Sequence, residues 1–305
     1  MTHAASVLRR RLQQDDILVV PGAADAVTAR LIEQAGFEAV YATGAGISNT
    51  LLGLPDLGLA TMTEIVEQVR RMTAAINIPL IADADTGYGN PVNVYRTVRE
   101  FERAGIAGIQ LEDQVSPKRC GHFSGKDVIP AEEMIRKIHA ACDARQNPET
   151  VIIARTDAIA TSGFDDAIAR GRAFAEAGVD IVFVEAPRSV EELQRIPKDI
   201  DAPLLVNMTE GGVTPLLSAP ELQAMGYRIA IFPNADLRVS MFAVRSMLGE
   251  LRQAGTTANM LDRMMSWQDR QSAVGLPEFG ELEERYVRQP LSSSAEADDV
   301  AATAS

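Results

Sequence analysis

The sequence lacks the excess of positive charge that is typical of many proteins that bind nucleic acids or anionic membranes. Its 305 residues include 29 lysines and arginines against 42 acidic residues, a net charge of −13. A chain this acidic repels phosphate backbones and anionic lipid, so we expect neither nucleic acid nor a membrane as partner. An anionic substrate stays possible, because a bound metal and a few arginines can dominate the potential of one pocket.

Cysteine and long apolar runs are also scarce. Cys120 and Cys142 are too few for a disulfide framework and fit a reducing compartment. No run of 18 or more apolar residues is present, and the first residues lack a basic stretch followed by an apolar core. We therefore expect a cytoplasmic protein without a signal peptide or a membrane span.

What the sequence does contain is an alternation of short apolar runs with amphipathic segments. Runs of this length are typical of strands buried on both faces of a parallel sheet. The predicted strands are Ile17–Val20, Ala39–Ala42, Leu80–Ala82, Gly108–Leu111, Val151–Ala154, Ile181–Val184, Leu204–Val206 and Ile229–Phe232. A doubly wound open sheet would show a similar alternation, but eight units in about 250 residues favour an α/β fold of the closed (β/α)₈ type, a TIM barrel.

The remaining segments complete the predicted organisation. Residues 4–16 have helical spacing and should cap one end of the barrel. Helical patterning continues beyond the eighth strand through residues 237–254 and 259–273. We predict one barrel domain with a C-terminal helical extension over residues 1–290, and a disordered tail over residues 291–305.

Polar residues follow every predicted strand. In a TIM barrel the functional residues cluster at the carboxyl ends of the strands, so this regularity indicates a catalytic rim. The residues concerned are Asp25, Thr43, Gly44, Asp83, Asp85, Glu112, Asp113, Arg155, Asp157, Glu185, Asn207, Thr209 and Asn234.

A metal site is indicated by Asp83 and Asp85. They lie two residues apart, so in a strand they share a face and can converge on one cation, with Glu112 nearby. Oxygen ligands without Cys or His favour Mg²⁺, held in part through water. The alternatives are a hydrated strand end and a calcium loop. The calcium loop fails, because Gly87 and Val94 occupy ligand positions.

A thiol loop follows, reading Lys118-Arg119-Cys120-Gly121-His122. The positive neighbours would lower the pKa of the Cys120 thiol and favour a reactive group. The alternative is a small buried apolar residue, which is how we interpret Cys142 in its alanine-rich helix.

Other rim residues leave two interpretations open. Arg155 could form a salt bridge at the rim or clamp a substrate carboxylate in bidentate fashion. Glu185 and Asn207 could be ordinary polar groups of the barrel or part of the site. Thr43-Gly44-Ala45 can present backbone N–H groups to an anion. A dinucleotide loop is excluded there, because its third glycine is missing.

Together these residues resemble the isocitrate lyase and phosphoenolpyruvate mutase superfamily, and within it the 2-methylisocitrate and 2,3-dimethylmalate lyases. The resemblance covers about residues 5–285. Its most specific piece is the run from Lys118 to His122. The phosphonate-forming mutases usually carry Asn in place of Cys120, and the oxaloacetate decarboxylases generally lack the thiol. The run from Asp83 to Gly89 identifies the superfamily only.

The resemblance implies roles for individual residues. Mg²⁺, or Mn²⁺ in its place, would be bound by Asp83 and Asp85, with Asp56 and Glu112 in its water shell. Thr43, Gly44 and Ala45 would hold the 2-oxo-acid carboxylate with help from Arg155. The other substrate-binding residues implied are Gly121, Glu185, Asn207, Thr209 and Arg238. The catalytic residues implied are Tyr41, near the reacting oxygen, and Lys118, Cys120 and His122 in a loop that closes over the substrate.

The function implied is a Mg²⁺-dependent carbon–carbon lyase acting on a small 2-hydroxy di- or tricarboxylate of the 2,3-dimethylmalate or 2-methylisocitrate type. Its products are pyruvate or glyoxylate and a carboxylic acid. Methylisocitrate lyases carry an arginine late in the chain where Trp267 aligns, and this departure favours an alkylated malate. The alternatives are an oxaloacetate decarboxylase or phosphonate mutase of the same superfamily, or a catalytically silent ligand-binding barrel.

The resemblance also implies an assembly. The last barrel helix of this superfamily swaps onto a neighbouring subunit. We therefore expect a homotetramer built as a dimer of helix-swapped dimers, with residues 240–285 long enough to supply the exchanged element.

Overall fold

Eight parallel strands pair in sequence order, and the eighth pairs with the first to close a barrel. The structure is a computed structural model that describes residues 2–119, 121 and 125–288. Its strands are β1 (Leu18–Ala23), β2 (Val40–Ala42), β3 (Leu80–Asp83), β4 (Gly108–Glu112), β5 (Val151–Thr156), β6 (Ile181–Val184), β7 (Leu204–Asn207) and β8 (Ile229–Phe232). The predicted (β/α)₈ barrel is confirmed, with strand bounds within three residues of those predicted.

The helices lie between and after the strands. They are α1 (Thr2–Leu12), α2 (Ala26–Gln34), α3 (Gly44–Ile47), α4 (Met62–Ala75), α5 (Pro91–Arg103), α6 (Ala131–Ala144), α7 (Phe164–Glu176), α8 (Val190–Asp199), α9 (Ala219–Met225), α10 (Ala235–Ala254), α11 (Trp267–Ala273) and α12 (Leu276–Glu283). Short 3₁₀ segments occupy Ala158–Ala160 and Ala258–Arg263, and π-helical segments occupy Ser48–Leu52 and Glu284–Arg288. Thr61 and Asn90 begin α4 and α5 with reciprocal capping boxes, which satisfy backbone N–H groups that a helix start leaves free.

Successive strand residues point to two separate apolar layers. Ile81, Ile153 and Phe183 belong to the layer inside the barrel, whereas their neighbours in the chain pack between the strands and the helices. This alternation follows from the two-residue repeat of a strand. The buried residues of α1, such as Leu8, belong to the inner layer. The N-terminal helix thus closes one end of the barrel, as predicted.

The chain divides into two compact units, Met1–Gly255 and Thr256–Ser305. The first part of the predicted helical extension, residues 237–254, lies in the first unit, and the second part, residues 259–273, lies in the second. The assignment of the whole extension to one domain with the barrel stays a prediction. The prediction of continuous helical structure over residues 259–273 is wrong. Extended backbone at Met264 separates a 3₁₀ segment from α11, and Ser266 restarts the helix by accepting the Asp269 N–H at 3.0 Å. The predicted tail, residues 291–305, lies outside the described residues.

The helix α10 differs from the other helices that follow strands. Its twenty residues include none that is buried, and Val239 and Phe242 are 69% and 66% exposed. In contrast, α5 buries Val94 and Phe101 completely. The apolar side of α10 is therefore uncovered within Met1–Gly255. Among the described helices, none combines the length and apolar character needed to cross a membrane.

Candidate active site

A small cavity of about 40 Å³ lies among residues at the carboxyl ends of the strands and in the loops that follow them. This volume has room for a few water molecules. Its lining includes eleven of the residues named from the sequence, which are Tyr41, Thr43, Ala45, Asp56, Asp83, Lys118, Gly121, Arg155, Glu185, Asn207 and Thr209. It also includes Asn234, which was predicted only as a rim residue, and Arg119, Ile231 and Pro233, which had no predicted site role.

Asp83 and Asp85 converge beside Gly44. Asp83 ends β3, and its Oδ1 accepts the backbone N–H of Asp85 at 3.0 Å. A Cβ placed on Gly44 would lie 3.1 Å from Oδ2 of Asp83 and 3.2 Å from Oδ1 of Asp85. Glycine at position 44 therefore lets the backbone approach both carboxylates. The two acids share one small space, although Asp85 lies beyond the end of β3 with φ 49° and not on the strand face that the spacing predicts.

Lys118 joins this acidic group. Its Nζ lies 2.6 Å from Oδ1 of Asp56 and 2.9 Å from Oδ1 of Asp85, and all three side chains are nearly buried. Burial raises the pKa of Asp85 to about 6, against the opposing charge of Lys118. Burial alone would lower the pKa of Lys118, but Asp85 and Glu112 raise it well above its usual value. Lys118 is thus a permanent cation within the cluster.

The carboxylates fit a hydrated divalent cation. Oε1 of Glu112 is buried and has no hydrogen-bond partner in the described part of the chain. Within that part, no three Asp, Glu, His or Cys residues form a ready metal cluster. Mg²⁺ does not require such a cluster, since it keeps several waters and binds through one or two carboxylates. Asp83 and Asp85 can supply those, while Glu112 and Asp56 can accept hydrogen bonds from water.

Arg155 is held by acidic neighbours. Its Nε and Nη2 donate to Asp157 at 2.9 and 3.0 Å, and its Nη1 lies 3.2 Å from Oε2 of Glu185. Burial alone would lower the pKa of Arg155, but Asp157 and Glu185 raise it well above its usual value. Arg155 thus forms the rim salt bridges of one interpretation, and because it also lines the cavity, its role as a clamp for a substrate carboxylate stays a prediction. The bidentate partner in this structure is Asp157.

A chain of hydrogen bonds continues from Glu185. Nδ2 of Asn207 donates to Oε2 of Glu185 at 3.2 Å, and the Thr209 hydroxyl donates to Oδ1 of Asn207 at 2.8 Å. The amide and hydroxyl are therefore oriented before any ligand binds. Such preorganisation is what recognition of a substrate carboxylate or hydroxyl requires.

Tyr41 is linked to Asp83 through Gln110. The Tyr41 hydroxyl donates to Oε1 of Gln110 at 2.9 Å, and Nε2 of Gln110 donates to Oδ1 of Asp83 at 3.4 Å. Burial raises the pKa of Tyr41 well above its usual value, and the charge of Asp83 adds to the effect. Tyr41 is therefore a neutral phenol that offers a hydrogen bond.

The start of α3 forms another wall. The Thr43 side chain caps the helix by accepting the Gly46 N–H at 3.3 Å, and its hydroxyl donates to Oδ1 of Asn234 at 3.3 Å. This bond ties the loop after β2 to the loop after β8. The first turn of α3, which contains Gly44 and Ala45, faces the cavity as the sequence predicts.

The thiol loop is described in part. Gly121 lies directly on Arg155 and Glu185, where a Cβ would contact Nη2 of Arg155 and come within 2.9 Å of Cγ of Glu185. Only glycine fits this approach. Cys120 and His122 lie outside the described residues, so their predicted roles stay predictions.

Arg238 does not join the other predicted residues. It is 55% exposed on α10, and its guanidinium contacts Glu210 through the backbone carbonyl and the carboxylate. The cavity lining described above does not include it. The prediction that Arg238 contacts substrate is not supported in the single chain, because α10 carries it on an uncovered surface.

Three polar residues near the cavity had no predicted role. Gln110 lies two positions before Glu112 on β4, so the two-residue repeat of a strand could have placed it on the same face. Arg119 lay within the thiol loop but had been considered only as a neighbour of Cys120. Lys126 carries no local sequence signal, because its partners Gly121 and Asp157 come from other segments.

Comparisons with known proteins agree with this geometry. The family profile described as phosphoenolpyruvate phosphomutase matches residues 8–252. The chain is 48% identical to 2,3-dimethylmalate lyase of Eubacterium barkeri, over 93% of this chain and 99% of that protein. It is 42% identical to 2-methylisocitrate lyase of Aeropyrum pernix, over 93% and 91%.

Solved structures are similarly close. A crystal structure of 2,3-dimethylmalate lyase superposes with a TM-score of 0.88 at 39% identity, covering 93% of this chain and 96% of that one. A complex of phosphonopyruvate hydrolase with oxalate and Mg²⁺ superposes with a TM-score of 0.85 at 30% identity, covering 93% and 99%.

Proposed function

This chain belongs to the phosphoenolpyruvate phosphomutase family and is a carbon–carbon lyase within its superfamily, and we propose that it cleaves 2,3-dimethylmalate to pyruvate and propionate with Mg²⁺ as cofactor. The observation that supports this most strongly is a cavity lined by Asp83, Arg155 and Asn207, with Asp85 converging on Asp83 beside Gly44. A small dicarboxylate can use two kinds of group: a cation that binds the oxygens at one end, and hydrogen-bond donors that bind the carboxylate at the other end.

Different residues bind the two ends of the substrate. Bound Mg²⁺ would polarise the hydroxyl and carboxylate oxygens at C1 and C2. Asp83 and Asp85 would hold it, with Asp56 and Glu112 accepting from its waters. The first turn of α3, with Thr43 and Gly44, binds the same carboxylate through backbone N–H groups.

The other end of the substrate meets the Arg155 network. Asn207 and Thr209 are already oriented by hydrogen bonds, so they bind the C4 carboxylate with little reorganisation, while Arg155 helps to hold the 2-oxo-acid carboxylate. Glu185 orients Arg155 and Asn207. Gly121 covers these groups and excludes water from them.

The proposed reaction breaks the C2–C3 bond. A base takes the hydroxyl proton, the electrons of that O–H bond form the pyruvate carbonyl, and the C2–C3 electron pair remains on C3. Cys120 then gives its proton to C3 and releases propionate. Tyr41, a neutral phenol, donates a hydrogen bond near the reacting oxygen. Positive charge on Lys118 and His122 beside the thiol would lower its pKa and so favour transfer of its proton to C3.

The choice of substrate rests on two observations. The chain is 48% identical to a 2,3-dimethylmalate lyase, compared with 42% to a 2-methylisocitrate lyase. By resemblance, Trp267 aligns with an arginine of methylisocitrate lyases, and an indole can cover an alkyl group but cannot pair with a third carboxylate. Trp267 is exposed at the start of α11, and the Arg270 guanidinium lies 4.1 Å from its ring centroid.

A substrate screen tests the proposal. We expect kcat/KM to be highest for 2,3-dimethylmalate among 2,3-dimethylmalate, 2-methylisocitrate, isocitrate and oxaloacetate. Faster consumption of oxaloacetate than of any other compound would favour a decarboxylase instead. Release of no pyruvate from any of them, with or without Mg²⁺, would favour a binding protein.

We also propose that the chain acts as a homotetramer built from helix-swapped dimers. The support is the uncovered apolar side of α10, which lines an open groove of about 940 Å³. Light scattering should give the mass of four chains, and Phe242→Glu should lower it because a charge would then lie in the apolar contact. A cytoplasmic location, expected from the scarcity of cysteine, belongs to the same proposal.

A further inference from the structure

Lys137 is a buried lysine on the apolar side of α6. It lies one turn after Met134 and one turn before Ala141, both of which are fully buried. Lys137 itself is 4% exposed, and its Nζ donates to the backbone carbonyl of Thr86 at 2.9 Å. Lysine is almost never fully buried unless it is paired, so the contact with Thr86 is the feature that accounts for its place.

Thr86 directly follows Asp85 in the loop after β3. Asp85 has φ 49° there, a left-handed conformation that a residue with a Cβ rarely adopts. Gly87 and Tyr88 are left-handed as well, with φ 84° and 58°. Such a backbone persists only where the surrounding structure holds it.

Three successive carbonyls of this loop, those of residues 85 to 87, are bound by three different elements of the barrel. The donors are the Glu112 N–H at the end of β4 for Asp85 at 2.9 Å, Lys137 on α6 for Thr86, and the Thr97 hydroxyl on α5 for Gly87 at 3.0 Å. Thr97, like Lys137, lies on the buried side of its helix. Two polar side chains on otherwise apolar helix faces therefore hold the backbone that follows Asp85.

We propose that Lys137 is a positioning residue for the metal site. It holds the Thr86 carbonyl from α6, so that Asp85 keeps its left-handed backbone and its carboxylate lies beside that of Asp83. The proposal rests on the function proposed above, in which Asp83 and Asp85 bind Mg²⁺. Lys137 contacts the backbone of the loop and acts on the cation through Asp85.

The stability of the core does not require a lysine at this position. An ammonium is costly to take out of water, and an apolar side chain would continue the buried face of α6. Burial lowers the pKa of Lys137, against the charges of Glu133, Asp113 and Glu112. The ammonium and the neutral amine both keep an N–H donor for Thr86, so the positioning role does not depend on this pKa.

The sign of the effect on metal affinity separates positioning from charge. A cation near the site repels a divalent ion, so loss of the charge of Lys137 alone would strengthen metal binding. Loss of an anchor should weaken it, since partners that orient metal ligands contribute about 10- to 100-fold in affinity. We therefore expect Lys137→Met to bind Mn²⁺ about 10-fold more weakly than wild type. Lys118→Met, which removes a cation in direct contact with the Asp85 carboxylate, should bind it more tightly.

Electron paramagnetic resonance of Mn²⁺ measures these affinities without an assay of turnover. Lys137→Arg, which retains a cationic donor, should recover most of the lost affinity. Thr97→Val removes the donor to Gly87 and tests the same loop in a second way. It should weaken binding about threefold, the lower range for one hydrogen bond, because Thr97 shares its proton with the Asn93 carbonyl at 3.0 Å. Thr97→Ser, which keeps the hydroxyl, should restore the affinity.

The matched control is Lys198→Met, which removes an exposed lysine of α8. It should leave the affinity for Mn²⁺ unchanged. Circular dichroism should show that each variant is folded, and Thr97→Val carries the test by itself if Lys137→Met does not fold.

The decisive measurement combines Lys137→Met with Asp85→Ala. Because Lys137 acts through Asp85, adding Lys137→Met should change the Mn²⁺ affinity of Asp85→Ala by less than about twofold. Unchanged or tighter Mn²⁺ binding by Lys137→Met, or a further 10-fold loss in the Asp85→Ala background, would overturn the positioning role. Wild-type Mn²⁺ binding by Asp85→Ala alone would instead refute the metal assignment of the proposed function.

Discussion

The ammonium nitrogen of Lys118 lies 2.9 Å from Oδ1 of Asp85, one of the two carboxylates that converge beside Gly44. A fixed positive charge therefore lies within the group of acids proposed to bind Mg²⁺. The two residues should have opposite effects on the cation, because one attracts it and the other repels it.

Substitution of Asp85 and substitution of Lys118 should change the affinity for Mn²⁺ in opposite directions. We expect Asp85→Ala to weaken Mn²⁺ binding by on the order of 100-fold, the upper range seen when groups around a metal are removed. Lys118→Met should strengthen it by about 10-fold, or ~1.4 kcal/mol. This is less than the ~4 kcal/mol for two unit charges at 4 Å, since the flexible lysine can turn away. Electron paramagnetic resonance of Mn²⁺ measures both without an activity assay.

Asp113→Asn provides the control, because Asp113 is buried in contact with Thr156 and Arg170 and is not part of the converging pair. Wild-type Mn²⁺ affinity and Mg²⁺-dependent turnover in Asp85→Ala would contradict the metal assignment.

The thiol should be required for turnover but not for structure. We expect Cys120→Ser to keep its fold and metal affinity yet lose lyase kcat by on the order of 100-fold or more, the usual contribution of a general acid. A serine hydroxyl is a much weaker acid than a thiol flanked by positive charge. Cys142→Ser is the matched control, and near-normal cleavage by Cys120→Ser would mean that another group supplies the proton.

Asp157 should make the stability of the protein sensitive to acid. Burial alone would raise the pKa of Asp157, but Arg155 and Lys126 lower it to about 2. A depressed carboxyl pKa adds stability that is fully present above the unfolded value near 4 and is lost as the pH falls toward 2. The loss is on the order of 2 kcal/mol.

Urea unfolding of wild type and Asp157→Asn measures this effect. The difference in unfolding free energy should be constant from pH 7 to about 5 and should narrow below about pH 4. The exposed Asp15→Asn serves as the control. A difference that stays constant down to pH 3 would show that Asp157 is not held as an anion by Arg155 and Lys126.

Trp267 should influence substrate preference. A cation at this position could add about 1.5–3 kcal/mol through a charged hydrogen bond to a third carboxylate, whereas an indole covers an alkyl group at about 0.8 kcal/mol per methylene. We expect Trp267→Arg to shift kcat/KM from 2,3-dimethylmalate toward 2-methylisocitrate. Arg270→Gln controls for the neighbouring guanidinium, and a wild-type preference for methylisocitrate would refute the alkylmalate choice.

The barrel and most of the cavity could be predicted because their signals are local. Apolar runs mark the strands, and parallel strands bring their carboxyl ends together, so Asp83, Glu112 and Arg155 meet without any further information. Gly44 and Gly121 were named from their motifs, and the structure adds the reason, since a side chain at either position would collide with the acids or with Arg155.

The residues that sequence reasoning did not identify are defined by their tertiary contacts. Lys126 contacts a carboxylate on another segment, and Gln114 recognises backbone rather than a side chain, so neither leaves a periodic pattern. Arg238 was placed by resemblance alone, and a helix whose apolar side is uncovered does not bring it to the cavity of its own chain. The break at Met264 depended on the Ser266 cap, which helical periodicity does not report.

The most direct test of the proposed chemistry is to follow the products from 2,3-dimethylmalate by nuclear magnetic resonance in D₂O with Mg²⁺. We expect pyruvate and propionate in equal amounts, with one deuterium at C2 of propionate, because C2–C3 cleavage leaves the electron pair on that carbon and the exchangeable thiol supplies its hydrogen. Pyruvate without propionate, or propionate that carries no deuterium, would contradict cleavage followed by protonation at C3.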